Sequence, residues 1–326
     1  MFAAHVVFDH DENFYDGRSS ILFATVAGVS LGLLTGGSRP APREEWGYRR
    51  ASIALRGAAL ILIGVLLTTL VRPPLQVILD YYGLAFILLV PLLFARRPVL
   101  AVAALLVVAI APPVVGWLRA ETDPQAIPVV LAPFAQWLVY GSYPVAIWLA
   151  FPLFGLICAR SGLERRRTQL LMIGAGTLAA VLGYGAAQLL PGVTAEAHSG
   201  SAAEVIGSGG LAVAIIGLAT LLGSIAGPAG RSIRFVLFPV AAAGGMALSL
   251  YTAQAIALTI VREANRIDAE RWTYPAAILP VLIVSALVIG TLWRLFLGAG
   301  PLERVLRWLT SWSGPRRVEP SAAPRV

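Results

Sequence analysis

The stretch that decides the fold is MFAAHVVFDHDENFYDGRSSILFATVAGVSLGLLTGG, residues 1–37. It places His5 and His10 beside an acidic loop and then enters a long apolar run from Ser20 to Gly36. A polar cluster between two apolar segments is a place where a membrane-embedded chain can expose reactive side chains to water. The rest of the chain is organised around this corner.

The composition of the chain favours a bilayer over water. Hydrophobic residues make up 58% of the chain and charged residues only 13%, with a mean hydropathy of +0.78. A soluble domain carries about 25% charged residues, whereas a membrane-spanning helix needs about 20 apolar residues in a row. Such runs recur along the whole chain. They predict an all-α, polytopic transmembrane bundle of about ten spans.

The predicted apolar segments are 1–8, 20–37, 51–71, 76–95, 98–118, 138–159, 168–190, 205–226, 235–261 and 275–298. The first is too short to cross a membrane, so it is either a re-entrant piece or the end of a helix that begins upstream of Met1. We expect the second. The bundle is predicted over residues 1–298 and a disordered tail over 314–326. Between them, residues 299–313 predict a cytoplasmic amphipathic helix, with Leu302, Val305, Leu306 and Leu309 on one face and Glu303, Arg304 and Arg307 on the other.

The arginines predict the orientation of the bundle. The arginines are concentrated in alternate loops, which lie at residues 38–50, 96–97, 160–169 and 227–234. Because short Arg-rich loops stay in the cytoplasm, the C-terminus is expected there and the His5 and His10 loop on the extracytoplasmic side. The sequence pI of about 10.2 then reflects topology. The expected partner is a lipid bilayer and not nucleic acid. Formation of a homo-oligomer is an open alternative.

Familiar soluble catalytic motifs are missing from the sequence. It has no Walker A loop, no HExxH, no CxxC and no GxSxG motif. The lone Cys158 and three scattered histidines make no metal pattern, so no metal is expected. Glycines in GAGT, GYGAA and AAAGGMA have the spacing of closely packed membrane helices.

His5 and His10 are the candidate catalytic residues. An imidazole titrates near pH 6.5 and can act as a general base or nucleophile, and neighbouring carboxylates could orient it. The plainer alternative is that His5 marks the membrane interface and that His10 belongs to a solvated loop.

Two further groups of polar residues are candidates for binding. The first could line one outward-facing cavity for an acceptor: Asp16, Arg18, Ser20, Asp80, Tyr143, His198, Glu204, Tyr251 and Gln254. The second could grip the phosphates of a cytosolic donor such as coenzyme A: Arg49, Arg50 and Arg56. Helix capping by the serines, interhelical hydrogen bonds and snorkelling arginines are the structural alternatives.

Several blocks of the chain resemble a known family. FYDGRSSILFATVAGVSLGLLTG, ILDYYGLAFILLVPLL, HSGSAAEVIGSGGLA, GMALSLYTAQ and GPLERVLRWLT look like the bacterial membrane proteins of domain of unknown function 418. These are similar to the catalytic domain of heparan-alpha-glucosaminide N-acetyltransferase and to acyltransferase-3 proteins. The resemblance implies transfer of an acyl group, most commonly acetyl, from cytosolic acyl-CoA to an extracytoplasmic sugar or cell-envelope acceptor.

The same resemblance suggests roles for both histidines. In acyltransferase-3 proteins an Arg precedes the functional His by ten intervening residues on the first helix. His5 matches that His, and the Arg would lie upstream of Met1. In the heparan-type enzymes the active His lies in the loop ten residues before an Asp. That position is His10, with Ser20 in place of the Asp.

A transmembrane acyltransferase in the bacterial cytoplasmic membrane is therefore the expected function. A transporter or exporter of a small or lipid-linked molecule and a non-catalytic membrane scaffold are the alternatives. A transporter would tolerate the loss of His5 and release no CoA.

Overall fold

The protein is helical throughout the part that the structure describes. A computed structural model describes residues 2–6, 15–265, 274–275 and 277–311, and none of these residues lies in a β-strand. The predicted all-α class is confirmed. His10 and the predicted tail over 314–326 lie outside the described residues. The α-helices found in the described ranges are α1 Arg18–Leu34, α2 Trp46–Leu66, α3 Leu79–Leu89, α4 Arg97–Glu121, α5 Ala132–Ala135, α6 Val145–Trp148, α7 Ala150–Ser161, α8 Arg166–Leu189, α9 Ala202–Ser224, α10 Gly227–Gly244, α11 Ala247–Ala264, α12 Ile278–Phe296 and α13 Pro301–Ser311.

Short turns of other helix types extend this framework. A 3-10 turn over Ala3–His5 precedes α1, and another over Val90–Leu92 continues α3. π-Helical turns over Leu67–Val71 and Gln136–Tyr140 continue α2 and α5.

Several long apolar helices indicate a membrane protein. Five described helical segments are long and apolar enough to cross a bilayer: Arg43–Val71, Arg97–Glu121, Arg166–Leu189, Ala202–Ser224 and Ile278–Phe296. Two bent pairs raise the number to seven if each pair is one span. They are Ala132–Tyr140 with Val145–Ser161, and Gly227–Gly244 with Ala247–Ala264.

About ten spans are not confirmed, because several predicted segments are short or broken. The segments 20–37 and 76–95 form the shorter apolar helices Arg18–Leu34 and Leu79–Leu92. The segment 235–261 is split into two helices that meet at 65°, and the helix pair around 138–159 bends by 48°. Pro144 lacks an N–H group and Gly244 and Gly245 favour a kink. Hydropathy counts apolar residues and does not register such breaks.

Glycines allow two helix pairs to pack at very short range. A Cβ on Gly155 of α7 would lie 1.9 Å from the carbonyl oxygen of Thr25, and one on Gly28 of α1 would lie 2.1 Å from that of Pro152. In the α8–α9 pair, a Cβ on Gly183 would lie 2.4 Å from the Gly207 nitrogen. The predicted close packing therefore holds for one helix face only, because Gly174, Gly185 and Gly244 have nothing within 4 Å of a built Cβ.

Arg160 fixes one end of the bundle. It lies in the last turn of α7 and is only 5% exposed, although the sequence placed it in the Arg-rich loop 160–169. Its guanidinium donates hydrogen bonds to the carbonyls of Gly32, Gly37 and Leu93 and to the hydroxyl of Thr35. Several acceptors compensate for the burial of the charge. The ends of α1, α3 and α7 are thereby tied together.

The C-terminal helix α13 packs into the bundle through a face that differs from the predicted one. Leu306 and Thr310 are buried, whereas Val305, expected on the apolar face, is 50% exposed. Glu303, expected on the polar face, turns inward and accepts hydrogen bonds from the main-chain N–H groups of Leu248 and Ser249. A carboxylate at a helix N-terminus is favourable, and this contact holds α13 against the start of α11.

Candidate functional site

His5 lies in a buried position against α11. The residue is 8% exposed, and its Nδ1 lies 3.1 Å from Nε2 of Gln254. The His5 and Tyr251 rings meet edge to face with centroids 6.2 Å apart. Burial lowers the pKa of the His5 imidazole, with the hydrogen bond to Gln254 acting in the opposite direction. His5 is therefore neutral at physiological pH.

The orientation of the Gln254 amide decides which nitrogen of His5 carries the proton. Nε2 of Gln254 only donates, so Nδ1 of a neutral His5 accepts and the ring proton is on its Nε2. Turning the amide by 180° places Oε1 opposite Nδ1, which then donates, and makes Nε2 of His5 the basic nitrogen. Gln254 can thus set the tautomer of His5.

Tyr251 connects this histidine to the loop between α2 and α3. Its hydroxyl accepts from the Ile78 N–H at 3.3 Å and donates to the Gln76 carbonyl at 3.4 Å. The sequence analysis named His5, Tyr251 and Gln254 as candidates. The structure brings them together although His5 lies 249 positions before Gln254.

A cluster of tyrosines surrounds the start of α3. Tyr82 donates to the Ser20 carbonyl at 2.7 Å, and Tyr143 lies near the Ser20 side chain. The Tyr81 and Tyr143 rings meet with centroids 5.5 Å apart. Ser20 does not cap α1 as the structural alternative supposed. The N-cap is Gly17, and it has no side-chain cap.

His198 is held in a special backbone conformation beside this cluster. Its φ is +63°, in the left-handed region. Glu204 accepts hydrogen bonds from the N–H groups of His198 and Gly200, at 2.8 and 2.7 Å, and so fixes the turn. The His198 ring lies 5.1 Å from Tyr143 and is stacked 6.2 Å from Trp148. Glu204 therefore positions His198.

Asp80 lies at a close contact between α3 and α2. A Cβ on Gly64 would lie 2.7 Å from the Asp80 nitrogen, so a glycine is needed there. Asp80 is 9% exposed, and its Oδ2 accepts from Nε1 of Trp137 at 2.8 Å.

Two cavities open at this end of the bundle. The larger, of about 540 Å³, is lined by Asp80, Tyr81, Trp137, Arg72 and both Gln76 and Gln136, among others. The smaller, of about 360 Å³, is lined by Gln76, Arg119, Tyr140, Gly141, Ser142, Tyr143 and His198. Gln76 belongs to both walls, so the cavities are neighbours.

Part of this site lies in a region that matches a family model. Residues 154–313 match the model of the protein family of unknown function DUF418. Neither a curated protein nor a solved structure matches the chain. The DUF418 match contains His198, Glu204, Tyr251 and Gln254, whereas His5 and Asp80 precede it.

Arg18 and Asp16 lie at the start of α1, outside the DUF418 match. Nε of Arg18 donates to the Tyr184 hydroxyl at 3.0 Å, and its guanidinium also lies over the Tyr184 ring. The Tyr184 hydroxyl in turn bonds the Ser208 hydroxyl at 2.9 Å. The main-chain carbonyl of Asp16 accepts from the Arg18 N–H. Arg18 thus links α1 to α8 and α9.

The three predicted donor-side arginines lie between the start and the middle of α2 and have different partners. Arg49 pairs with Glu45 at 2.5 Å. Arg50 lies over the rings of Trp46 and Phe94, with distances of 5.5 and 5.6 Å. Arg56 donates to the Thr310 hydroxyl of α13 at 3.1 Å. Nε of Arg50 and of Arg56 is buried without a hydrogen-bond partner among the described residues.

Sequence reasoning missed several residues of this site. Tyr81, Tyr82, Trp137 and Arg119 were not singled out, although Tyr81 and Tyr82 follow Asp80 directly and Trp137 lies in an aromatic loop. Within the described ranges, no group of three His, Cys, Asp or Glu residues could hold a metal ion.

Proposed function

We propose that the protein is a membrane acyltransferase that moves an acyl group, expected to be acetyl, from cytosolic acyl-CoA to a sugar or cell-envelope acceptor across the membrane. The observation that carries the proposal is His5, a buried and neutral imidazole oriented by Gln254. Acyl transfer to a hydroxyl or amine needs such a base. The ring of Tyr251 contacts His5, and its hydroxyl bonds the carbonyl of Gln76, a residue that lines both cavities.

The proposed reaction uses the Nε2 lone pair that Gln254 exposes in its flipped orientation. The acceptor hydroxyl attacks the thioester carbonyl while its proton passes to Nε2 of His5. The C–S bond then breaks, and the imidazolium returns the proton to the CoA thiolate. A transfer of this kind forms one C–O bond and consumes no metal or redox equivalent. His10 is the second candidate for the base.

The site is tested by release of free CoA thiol from acetyl-CoA by the purified protein in detergent. We expect slow release without an added acceptor and faster release with an accepted sugar or envelope lipid. If the protein neither binds acetyl-CoA nor releases CoA, the acyltransferase proposal fails.

The variant Gln254→Glu is expected to shift the pH dependence of acyl transfer. Burial holds the pKa of His5 below its usual value, so a wild-type rate that needs neutral His5 falls only in strongly acidic buffer. A carboxylate at residue 254 stabilises the imidazolium and raises the pKa of His5, which moves the acidic limb of the rate profile to higher pH. The measurement is kcat/KM against pH. In Gln254→Leu the limb should not move upward, and an upward shift there would contradict the assignment.

The donor is proposed to bind at the arginine end of α2. Arg50 and Arg56 each keep a buried Nε without a described partner, and Arg307 is close enough to act electrostatically on Arg56. Positive charge gathered in this way suits the phosphates of acyl-CoA.

Replacing Arg50 or Arg56 with Gln is expected to raise the KM for acetyl-CoA about 10-fold, the loss of one charge-assisted hydrogen bond. The kcat should change little. Arg97→Gln, which removes an exposed arginine from the start of α4, is the matched control. An equal rise in KM in all three variants would indicate a general charge effect and no defined donor site.

A transporter is the second candidate function, and the two bent helix pairs favour it. Transporters often build their binding sites at breaks in membrane helices, and α10 and α11 meet at such a break. Uptake into proteoliposomes that persists in His5→Gln, together with absent CoA release, would favour transport over transfer.

A further inference from the structure

The larger cavity is lined by a buried carboxylate, that of Asp80. Oδ2 of Asp80 is bonded to Trp137. Oδ1 is buried and makes no hydrogen bond of acceptable geometry with the described residues. Buried polar atoms in proteins are nearly always hydrogen-bonded. Asp80 is thus a cavity-lining residue whose capacity to accept hydrogen bonds the described residues do not fill.

The walls next to Asp80 favour an ammonium group as a hydrogen-bond donor to its carboxylate. The aromatic side chains of Tyr81 and Trp137 line the same cavity. An organic cation gains from a carboxylate and from neighbouring aromatic rings together. The Tyr81 hydroxyl lies near the side chain of Gln136, which lines the same cavity.

Arg72 brings a positive charge to the same cavity. It is exposed and adopts a left-handed backbone conformation with a φ of +52°. Its Nε donates to the Thr69 carbonyl at 3.2 Å, which directs the guanidinium and leaves its terminal nitrogens available to a ligand. A guanidinium with free donors suits a phosphate. Because Arg72 and Gln76 are exposed, the cavity is accessible from outside the protein.

We propose that this cavity binds the zwitterionic group of an aminoalkyl phosphate, with its ammonium on Asp80 and its phosphate on Arg72. A volume of about 540 Å³ holds such a group together with part of the molecule that carries it. A phospholipid head group and a free phosphoester share this chemistry. Binding follows from the cavity alone, whereas the identity of this ligand with the acyl acceptor rests on the function proposed above.

The test is calorimetric titration of the purified protein with O-phosphorylethanolamine in the absence of acyl-CoA. We expect saturable binding, and at least about 10-fold weaker binding of ethanolamine or inorganic phosphate alone, because each lacks one charged contact. Asp80→Asn keeps the shape of the side chain and removes its charge, and it should weaken binding about 10-fold or more. The control Glu121→Gln removes an exposed acid at the end of α4 and should bind as the wild type does.

Arg72→Gln is the second variant, because an exposed side chain can be changed without unfolding the protein. It should weaken the binding of phosphorylethanolamine about 10-fold and leave the binding of ethanolamine nearly unchanged. Nanodiscs of phosphatidylethanolamine that compete with the soluble probe, where phosphatidylglycerol nanodiscs do not, identify a lipid head group. Binding of the probe without that competition identifies a free phosphoester.

The proposal is overturned if phosphorylethanolamine does not bind, or if Asp80→Asn and Arg72→Gln both bind it with wild-type affinity. Its failure is separable from that of the acyl-transfer proposal, since binding is measured without acyl-CoA. Intact binding with no CoA release would overturn acyl transfer alone.

Discussion

The variant His5→Gln is expected to reduce acyl transfer about 1000-fold, within the range of about 10²–10⁴ that general acid–base catalysis contributes. Glutamine keeps a hydrogen-bonding side chain of similar length next to Gln254 but offers no basic nitrogen. The fold should survive, because one altered hydrogen bond costs only about 1 kcal/mol. The measurement is single-turnover CoA release, with thermal unfolding in the same detergent as the check on folding.

His10→Gln is the matched control for this result. It makes the same chemical change five residues further on, at the other candidate base. We expect it to keep most of the activity. The opposite pattern, with activity lost in His10→Gln and kept in His5→Gln, would transfer the role of base to His10. If both variants keep their activity, neither histidine acts as the base.

His5 also gives stability a dependence on pH. Its pKa in the folded protein lies below its ordinary value because of burial, so folding favours the neutral ring. This contribution is present above the unfolded pKa of about 6.5 and is lost as the pH falls from there toward the folded pKa. His5→Gln should therefore flatten the decline of thermal stability below about pH 6.5. A decline of unchanged slope would show that other groups cause it.

The variant Gly155→Ala is expected to have the largest effect on folding. The added Cβ would lie 1.9 Å from the Thr25 carbonyl oxygen and 2.6 Å from the Val29 nitrogen. Both are main-chain atoms of α1 that cannot rotate away, so α1 and α7 must move apart. Overpacking of this kind costs about 1–3 kcal/mol and occasionally more, and here it also disturbs the neighbouring contact at Gly28. Thermal unfolding followed by size-exclusion chromatography measures the loss.

The variant Gly174→Ala is expected to have the opposite effect on stability. It lies inside α8, and a Cβ there would meet nothing within 4 Å. Alanine is favoured over glycine in a helix interior by about 1 kcal/mol, so this variant should be slightly more stable than the wild type. Equal destabilisation by Gly155→Ala and Gly174→Ala would contradict the close α1–α7 crossing.

The sequence determined the class of fold because apolar runs are a local property. Residues 97–121 and 202–224 are mostly apolar, and a chain in a bilayer must satisfy its own backbone hydrogen bonds, which helices do. The same runs did not determine how many spans form. A break such as that at Gly245 and Met246 depends on neighbouring elements, here on Glu303 of α13 at the start of α11.

Individual residues of the site show the same difference between what the sequence determines and what the tertiary structure decides. Asp80, His198 and Tyr251 could be selected from the sequence because polar groups in apolar surroundings need a partner. Their partners could not be selected from the sequence, since Trp137, Tyr143 and Gln76 come from distant parts of the chain. Glu204 was selected as a binding residue, whereas the structure shows it bonded to the backbone of the His198 turn.

The sequence by itself therefore determined that the chain is helical and apolar enough for a membrane, and which polar side chains are unusual there. Only the tertiary structure decided that His5 meets Gln254, that Asp80 lines a cavity with Arg72, and that Arg160 is buried. Hydrophobicity and helix formation depend on neighbours within about one turn to one span of the chain. Pairing of polar groups depends on which helices cross, and here the crossings are set by glycines such as Gly28, Gly64 and Gly155 whose contacts lie elsewhere in the sequence.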